Sequence, residues 1–213
     1  MLPLAELGRT LAFSFAAGIN LYATVAILGL ASRYGWVALP PQYQVFDNNW
    51  IIGIAIALYV VEFFADKVPW IDSIWDAVHT VVRPIGGAFI AVTTLGHASP
   101  FTETIVGLLG GTLAAGSHFG KASTRLVANA SPEPFSNWIL SAVEDAFVVV
   151  LGFLALKHPI AAGVVVLIGV VILIAFAGWI YRVLRRRLRG RDLRGDGGHG
   201  GEQNTEARRH GAM

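Results

Sequence analysis

Residues 10–32 read TLAFSFAAGINLYATVAILGLAS, twenty-three residues without a charge between Arg9 and Arg33. At about 1.5 Å per residue, a helix of that length covers a bilayer core of roughly 30 Å. The run is too long for the core of a signal peptide, and only Arg9 precedes it, so it reads as a retained segment. A second uncharged run covers 158–181, between Lys157 and Arg182. Working outward from these two, apolar patterning predicts helices over 10–32, 49–67, 83–98, 102–124, 137–156 and 159–184. The third is rich in Gly and Thr and leaves a choice between a span and a re-entrant segment.

The whole composition agrees. Of 213 residues, 54% are hydrophobic and 14% are charged, against roughly 25% charged in soluble domains. This argues against disorder over most of the chain and against a water-soluble enzyme. The expected fold class is all-α, a polytopic integral membrane helical bundle of about six transmembrane helices. The chain has no cysteine, which excludes disulfides, thiolate metal sites and a cysteine nucleophile.

Charge is unevenly placed. Residues 1–180 hold seven Lys/Arg and ten Asp/Glu, whereas 181–213 hold nine and four. The basic excess is therefore a tail and not a folded basic face, so no nucleic-acid partner is expected. Arg182, Arg185, Arg186, Arg187, Arg189, Arg191 and Arg194 place the C-terminus in the cytoplasm. Six spans then put both termini there, with Arg9, Lys67, Arg83, Lys121 and Arg125 inside and Arg33 and Lys157 outside. The expected division is a transmembrane domain over 1–185 and a disordered basic cytoplasmic tail over 186–213.

Two stretches echo one another. Phe46-Asp47-Asn48-Asn49-Trp50-Ile51 and Phe135-Ser136-Asn137-Trp138-Ile139 each follow a pair of prolines and open an apolar helix. The identity between them is low. Three spans per half would give halves of opposite topology, about 8–98 and 102–184. Inverted 3+3 repeats of that kind are a common build of small-solute transporters.

The strongest polar pattern is Asp72, Asp76, His79 and Arg83, at i, i+4, i+7 and i+11. These fall on one stripe of a helix. An amphipathic helix over 70–83, ended by Pro84, either lies in the cytoplasmic interface with its charges in water or lines an aqueous vestibule. Glu62 and Asp66 form an i, i+4 pair late in the second helix. Asn137, Ser141 and Glu144, with Asp145 beside them, form a stripe in the fifth. Glu62 lies about 18 Å along its helix from Trp50, and Glu144 about 9 Å from Trp138. The helices run oppositely, so the two carboxylates should share a depth. Carboxylates there are costly and are functional candidates. His118, Lys121 and Arg125 on the fourth helix are the counter-charges. The same helix carries Gly107-x-x-x-Gly111 and Gly116-x-x-x-Gly120, spacings that let helices approach. Asn20 is an isolated amide in the first helix, either bonding across helices or lining a solute or ion site.

Enzyme signatures are missing. The chain has no His-Glu-x-x-His and no Gly-x-Ser-x-Gly. No enzymatic activity and no cofactor are expected, and the metal question stays open.

Taken together, Gly18-Ile19-Asn20-Leu21-Tyr22, Val61-Glu62-Phe63-Phe64-Ala65-Asp66-Lys67-Val68-Pro69, Asp72-Ser73-Ile74-Trp75-Asp76-Ala77-Val78-His79, Arg83-Pro84, Ser117-His118 and Ser131-Pro132-Glu133-Pro134-Phe135-Ser136-Asn137 with Glu144-Asp145 resemble the bacterial membrane protein family catalogued as domain of unknown function 4126. The resemblance covers about residues 8–160. It implies a bacterial cytoplasmic (inner) membrane location and makes the polar residues above part of the family's motifs. It supplies no substrate.

Two functional expectations follow. One is a small permease or channel for an ion or small polar solute. In it Glu62 and Glu144 bind a cation or proton, Asp66 and Asp145 tune them, and Asn20 and Asn137 are further candidate ligands. Asp72, Asp76, His79, Arg83, His118, Lys121 and Arg125 form the charge network. The other is a non-transporting membrane scaffold or lipid-organising protein, with the same charges as a structural ion-pair network. In both, the lipid bilayer is a partner and homo-oligomerisation is open.

Overall fold

In a computed structural model, the structure describes residues 4–129 and 134–195. The described residues form α-helices α1 (Leu4–Ile19), α2 (Leu21–Tyr34), α3 (Asn49–Ala65), α4 (Pro69–Leu95), α5 (Pro100–Asn129), α6 (Pro134–Lys157) and α7 (Pro159–Gly195), with a 3-10 turn over Pro41–Phe46. Three helical segments are long and apolar enough to cross a membrane: Trp70–Leu95, Phe135–Lys157 and Pro159–Val183. The apolar helix Asn49–Ala65 is shorter.

The segment 10–32 is not one helix. Asn20 adopts an extended conformation (φ −146°, ψ 100°), and its side chain caps α2 by accepting from the Ala23 amide. Asn favours that position, because its short amide satisfies a donor that the helix start leaves free. The chain also doubles back there. At the start of α1, Arg9 donates to the Ala155 carbonyl near the end of α6, and Thr10 bonds Thr94 near the end of α4. At its end, the Gly18 and Ile19 carbonyls meet Arg83 and Lys121. α2 then returns. Tyr22 bonds His79, Gly152 lies against Ile27, and Trp36 stacks on Phe153. α1 and α2 are thus the arms of a hairpin, about 24 Å and 21 Å long, each too short to cross a membrane core alone.

The expected helix 70–83 and span 83–98 are also corrected. They are one helix, α4, with Pro84 inside it. Proline removes a backbone donor and crowds the preceding turn. In a packed apolar helix the loss is tolerated, and Gly111 lets α5 approach α4 closely at Pro84. At the other end of the chain, α7 runs as helix to Gly195, so the tail is not irregular from residue 186. Residues 196–213 lie outside the described residues, as do Ser131, Pro132 and Glu133 of the quoted motif.

The chain forms two compact units, Met1–Val170 and Val171–Met213. In the first, α1 packs between α4, α5 and α6. It runs antiparallel to α4, whose Gly87 carbonyl accepts from Ser14. It runs alongside α5, whose Ser117 donates to the Phe15 carbonyl. The close approach is made by small residues. A Cβ on Gly18 would strike the Ala114 carbonyl, one on Gly87 the Ala114 methyl, and one on Gly110 the Ala91 methyl. The expected Gly107–Gly111 pair does face α4, but Gly116 faces open space. The stripe that admits α1 is instead Gly110, Ala114 and Ser117. In the second unit α7 continues as helix, with Phe176 stacked on Trp179.

Polarity in the first unit is reversed relative to a soluble protein. On α4, Ile74, Val78, Val81, Ile85 and Phe89 are exposed, whereas Asp72, Asp76, His79 and Arg83 are buried. The amphipathic stripe therefore does not lie in water at an interface. It points inward, because α3 and α5 bring it opposite charges. Large exposed apolar surface of this extent marks contact with an apolar partner phase or protein.

Candidate functional site

The site lies where the tip of the hairpin meets the end of α3, the start of α4, the last third of α5 and the first half of α6. Arg83 is fully buried. It pairs with Glu62 at 2.6 Å and Asp76 at 3.5 Å, and reaches the Gly18 carbonyl at 3.3 Å. Lys121 pairs with Glu62 at 3.1 Å and Asp66 at 3.2 Å, lies 3.8 Å from Glu144, and donates to the Ile19 carbonyl at 3.3 Å. Arg125 pairs with Asp66 at 2.8 Å, with Asp72 at 3.1 Å and with Glu144, and also holds the Asp66 carbonyl at 2.9 Å. Lys121 thus bridges Glu62 and Glu144, which places the two carboxylates at one level of the bundle.

The histidines are fixed by the same logic of donors and acceptors. Arg83 donates to Nδ1 of His118 at 2.7 Å, so that nitrogen carries the lone pair. Nε2 of His118 then donates to Thr80, whose hydroxyl is already given to the Asp76 carbonyl. His79 gives Nδ1–H to the Trp75 carbonyl at 2.7 Å and accepts from the Tyr22 hydroxyl at 2.9 Å. Both rings sit in neutral hydrogen-bonding roles. The cationic side is therefore Arg83, Lys121 and Arg125, and the anionic side is Glu62, Asp66, Asp72, Asp76, Glu144 and Asp145. With every carboxylate ionised, anions exceed these three cations by three, and by two once Lys67, a neighbour of Asp66 and Asp145, is counted.

Helix ends add to the field. The C-terminal carbonyls of α1 carry partial negative charge and face Arg83 and Lys121. The N-terminus of α2 carries partial positive charge and lies beside Asp145, which accepts from Asn20 Nδ2 at 3.1 Å. A cavity of about 290 Å³ between α4 and α5, lined by Asp72, Asp76, Thr80, Ser123 and Arg125, leads to the cluster.

The structure thus gathers Asn20, Glu62, Asp66, Asp72, Asp76, His79, Arg83, His118, Lys121, Arg125, Glu144 and Asp145 in one place. Asn137 is buried on α6, with Ser141 on the same face, toward the helix start. Sequence reasoning missed Tyr22, Thr80, and the Gly18 and Ile19 carbonyls. Tyr22 follows Asn20 by two residues and Thr80 follows Asp76 by four, so spacing held a signal for both. The carbonyls carried none, because they matter only once the helix breaks.

A second polar cluster at the mouth of the hairpin was also missed. Arg9 was counted only as a topology charge, yet it is buried, pairs with Glu6 at 2.9 Å, and stands over the Tyr43 ring. Burial pushes the Tyr43 hydroxyl above its ordinary range, with Arg9 pulling the other way. Arg9 lies at the Ala155 end of the bundle, opposite Lys121 and Arg125, and not with them as the charge count assumed.

Among the described residues, no group of three or more His, Cys, Asp or Glu is placed to hold a metal ion. Compared with known proteins, residues 7–180 match the model of a family described as Domain of unknown function (DUF4126). No curated protein and no solved structure matches the chain.

Proposed function

The chain therefore belongs to the DUF4126 family, a description without an activity, and from the site itself we propose a multi-pass membrane permease or channel that moves a proton or small cation. One observation carries this reading: six carboxylates and three cations are packed around the ends of a broken helix. A purely structural network gains nothing from an anionic excess, since each unpaired buried charge is costly. An ion-binding site needs that excess. Discontinuous helices whose ends meet at a buried polar centre are a recurring device of secondary transporters. The cavity between α4 and α5 reaches the cluster at Asp72, Asp76 and Arg125.

In the proposed topology α1 and α2 enter and leave on one side, and α3 to α7 cross. The basic cluster at 182–194 faces the cytoplasm. The number of crossings is then odd, so the N-terminus lies on the opposite side, in a bacterial inner membrane. The 3+3 repeat has less support. Asn48 caps α3 whereas its counterpart Ser136 lies inside α6, and Asn49 is exposed where Asn137 is buried, so the two similar stretches play different local parts.

The test is ion flux into liposomes that hold the purified chain, with pH-, Na⁺- and K⁺-sensitive dyes trapped inside. The expected result is flux of at least one of these ions above protein-free vesicles. Folded protein with no flux of any of them favours the scaffold reading.

A further inference from the structure

Glu62 is clamped by Arg83 and Lys121, and Glu144 by Arg125. Asp66, Asp72 and Asp76 each have a cation within 4.0 Å. Among the described residues, Asp145 is the one carboxylate of the cluster with no such partner. Its Oδ1 accepts from a neutral amide, Asn20, its Oδ2 is buried without a well-formed hydrogen bond, and the other polar group against the carboxylate is the neutral Tyr59 hydroxyl. One turn earlier on the same face of α6, the hydroxyl of the fully buried Ser141 is also without a partner. A carboxylate in such a place is stable when it carries a proton, and the proton gives Oδ2 a donor in a region that has acceptors to spare.

We propose that Asp145 is the residue that binds and releases the transported ion, and that this ion is a proton. The inference rests on the permease reading and inverts the roles expected from sequence. Glu62 and Glu144 hold the scaffold together, and Asp145 carries the exchange. A metal ion fits poorly, because no three ligand residues converge for one among the described residues.

The groups that face Asp145 are Asn20 from the hairpin tip, Tyr59, Glu62 and Asp66 from α3, Lys67 from the following turn, Lys121 from α5, and Glu144 beside it on α6. Lys67 acts on Asp145 through charge alone, since its ammonium donates to the Phe63 carbonyl and lies over the Phe63 ring with no ion pair to Asp145 within 4.0 Å. Proton uptake converts the carboxylate to a carboxylic acid and release reverses it, with no other bond made or broken. The step has a mechanical consequence. Asn20 Oδ1 caps α2 while its Nδ2 grips Asp145. A hydrogen bond to an ionised acceptor is about twice as strong as a neutral one. Protonation therefore loosens the tie between the hairpin tip and α6.

The experiment uses the full chain in phosphatidylcholine vesicles with two readouts. Infrared spectra across pH follow the carboxylic-acid band, and a trapped dye follows proton influx. Wild type should show a band that grows on acidification. The band should be lost in Asp145→Asn, displaced in Asp145→Glu and retained in Glu144→Gln. Proton influx should fall to the level of protein-free vesicles in Asp145→Asn and return in part in Asp145→Glu. An unchanged band in Asp145→Asn overturns the proposal, whatever the flux. If that variant does not fold, an unchanged band in folded Asp145→Glu does the same. Na⁺ or K⁺ flux that persists in Asp145→Asn also overturns it, while leaving the permease reading in place. No flux from folded wild type removes the permease reading and the transport role with it, even where the band titrates as expected.

Discussion

Arg125 takes acceptors from three elements: the Asp66 carboxylate and carbonyl at the end of α3, Asp72 on α4 and Glu144 on α6. Its side chain ties α3, α4, α5 and α6 together at this level. Glu62 does the same for α3, α4 and α5, fully buried between Arg83 and Lys121. Replacing Glu62 by Gln takes the shared carboxylate from two buried cations that keep only their other partners, and breaking such a pair costs about 3–5 kcal/mol. Thermal unfolding of Glu62→Gln in detergent should show a loss of that order, and a change near zero would mean that water reaches the pair. Asn20→Ala removes the α2 cap and should cost about 0.5–2 kcal/mol, read in the same assay. At this scale much was legible. The i, i+4, i+7, i+11 spacing of Asp72, Asp76, His79 and Arg83 marks a stripe in any helix. Its partners were not legible, because Glu62 and Arg83 are 21 residues apart and Arg125 and Asp66 are 59. Only the packing of three helices decides which pairs form.

At the level of elements, the hairpin is what sequence reading misses. The apolar runs of α1 and α2 look the same whether the chain continues straight or turns at Asn20. The signal was local, a helix-capping Asn two residues after a Gly, and it was outweighed by the length of an uncharged run that fitted a bilayer so well. Pro84 misled in the opposite sense, suggesting an end where α4 goes on. Helix packing gives a direct test. Gly18→Ala places a methyl against the Ala114 carbonyl and the Ser117 hydroxyl, so α1 and α5 must part. Such overpacking costs about 1–3 kcal/mol. Gly53→Ala on α3 meets nothing within 4 Å and should be neutral or stabilising by up to about 1 kcal/mol. Denaturation midpoints of the two variants should move in opposite directions, or the first alone should move.

For the whole molecule, the hairpin changes the accounting of sides. The composition made an apolar helical bundle plain, but the side of the N-terminus hung on counting 10–32 as one of six spans, and Arg9 counts as an inside charge only if that segment crosses. The absence of native cysteine allows a clean test with a membrane-impermeant thiol reagent in intact cells. Leu4→Cys, Val45→Cys and His158→Cys should label from one side, and Lys67→Cys from the other. Protection of Leu4→Cys together with Lys67→Cys, while Val45→Cys still labels, would restore a straight first span. The doubled-back segment also bears on how the protein is made. The ribosome delivers the hairpin first, yet the partners of its tip follow much later: Arg83 stands 65 residues beyond Gly18, Lys121 stands 102 beyond Ile19, and Asp145 stands 125 beyond Asn20. Ala155, which receives Arg9, is 146 residues away. Through most of synthesis the nascent chain therefore carries the Asn20 side-chain NH2 and the last carbonyls of α1 without the partners they later find. The insertion machinery has to shelter that segment until α6 emerges, and a chain stalled before then exposes it to the proteases that clear unfinished membrane proteins.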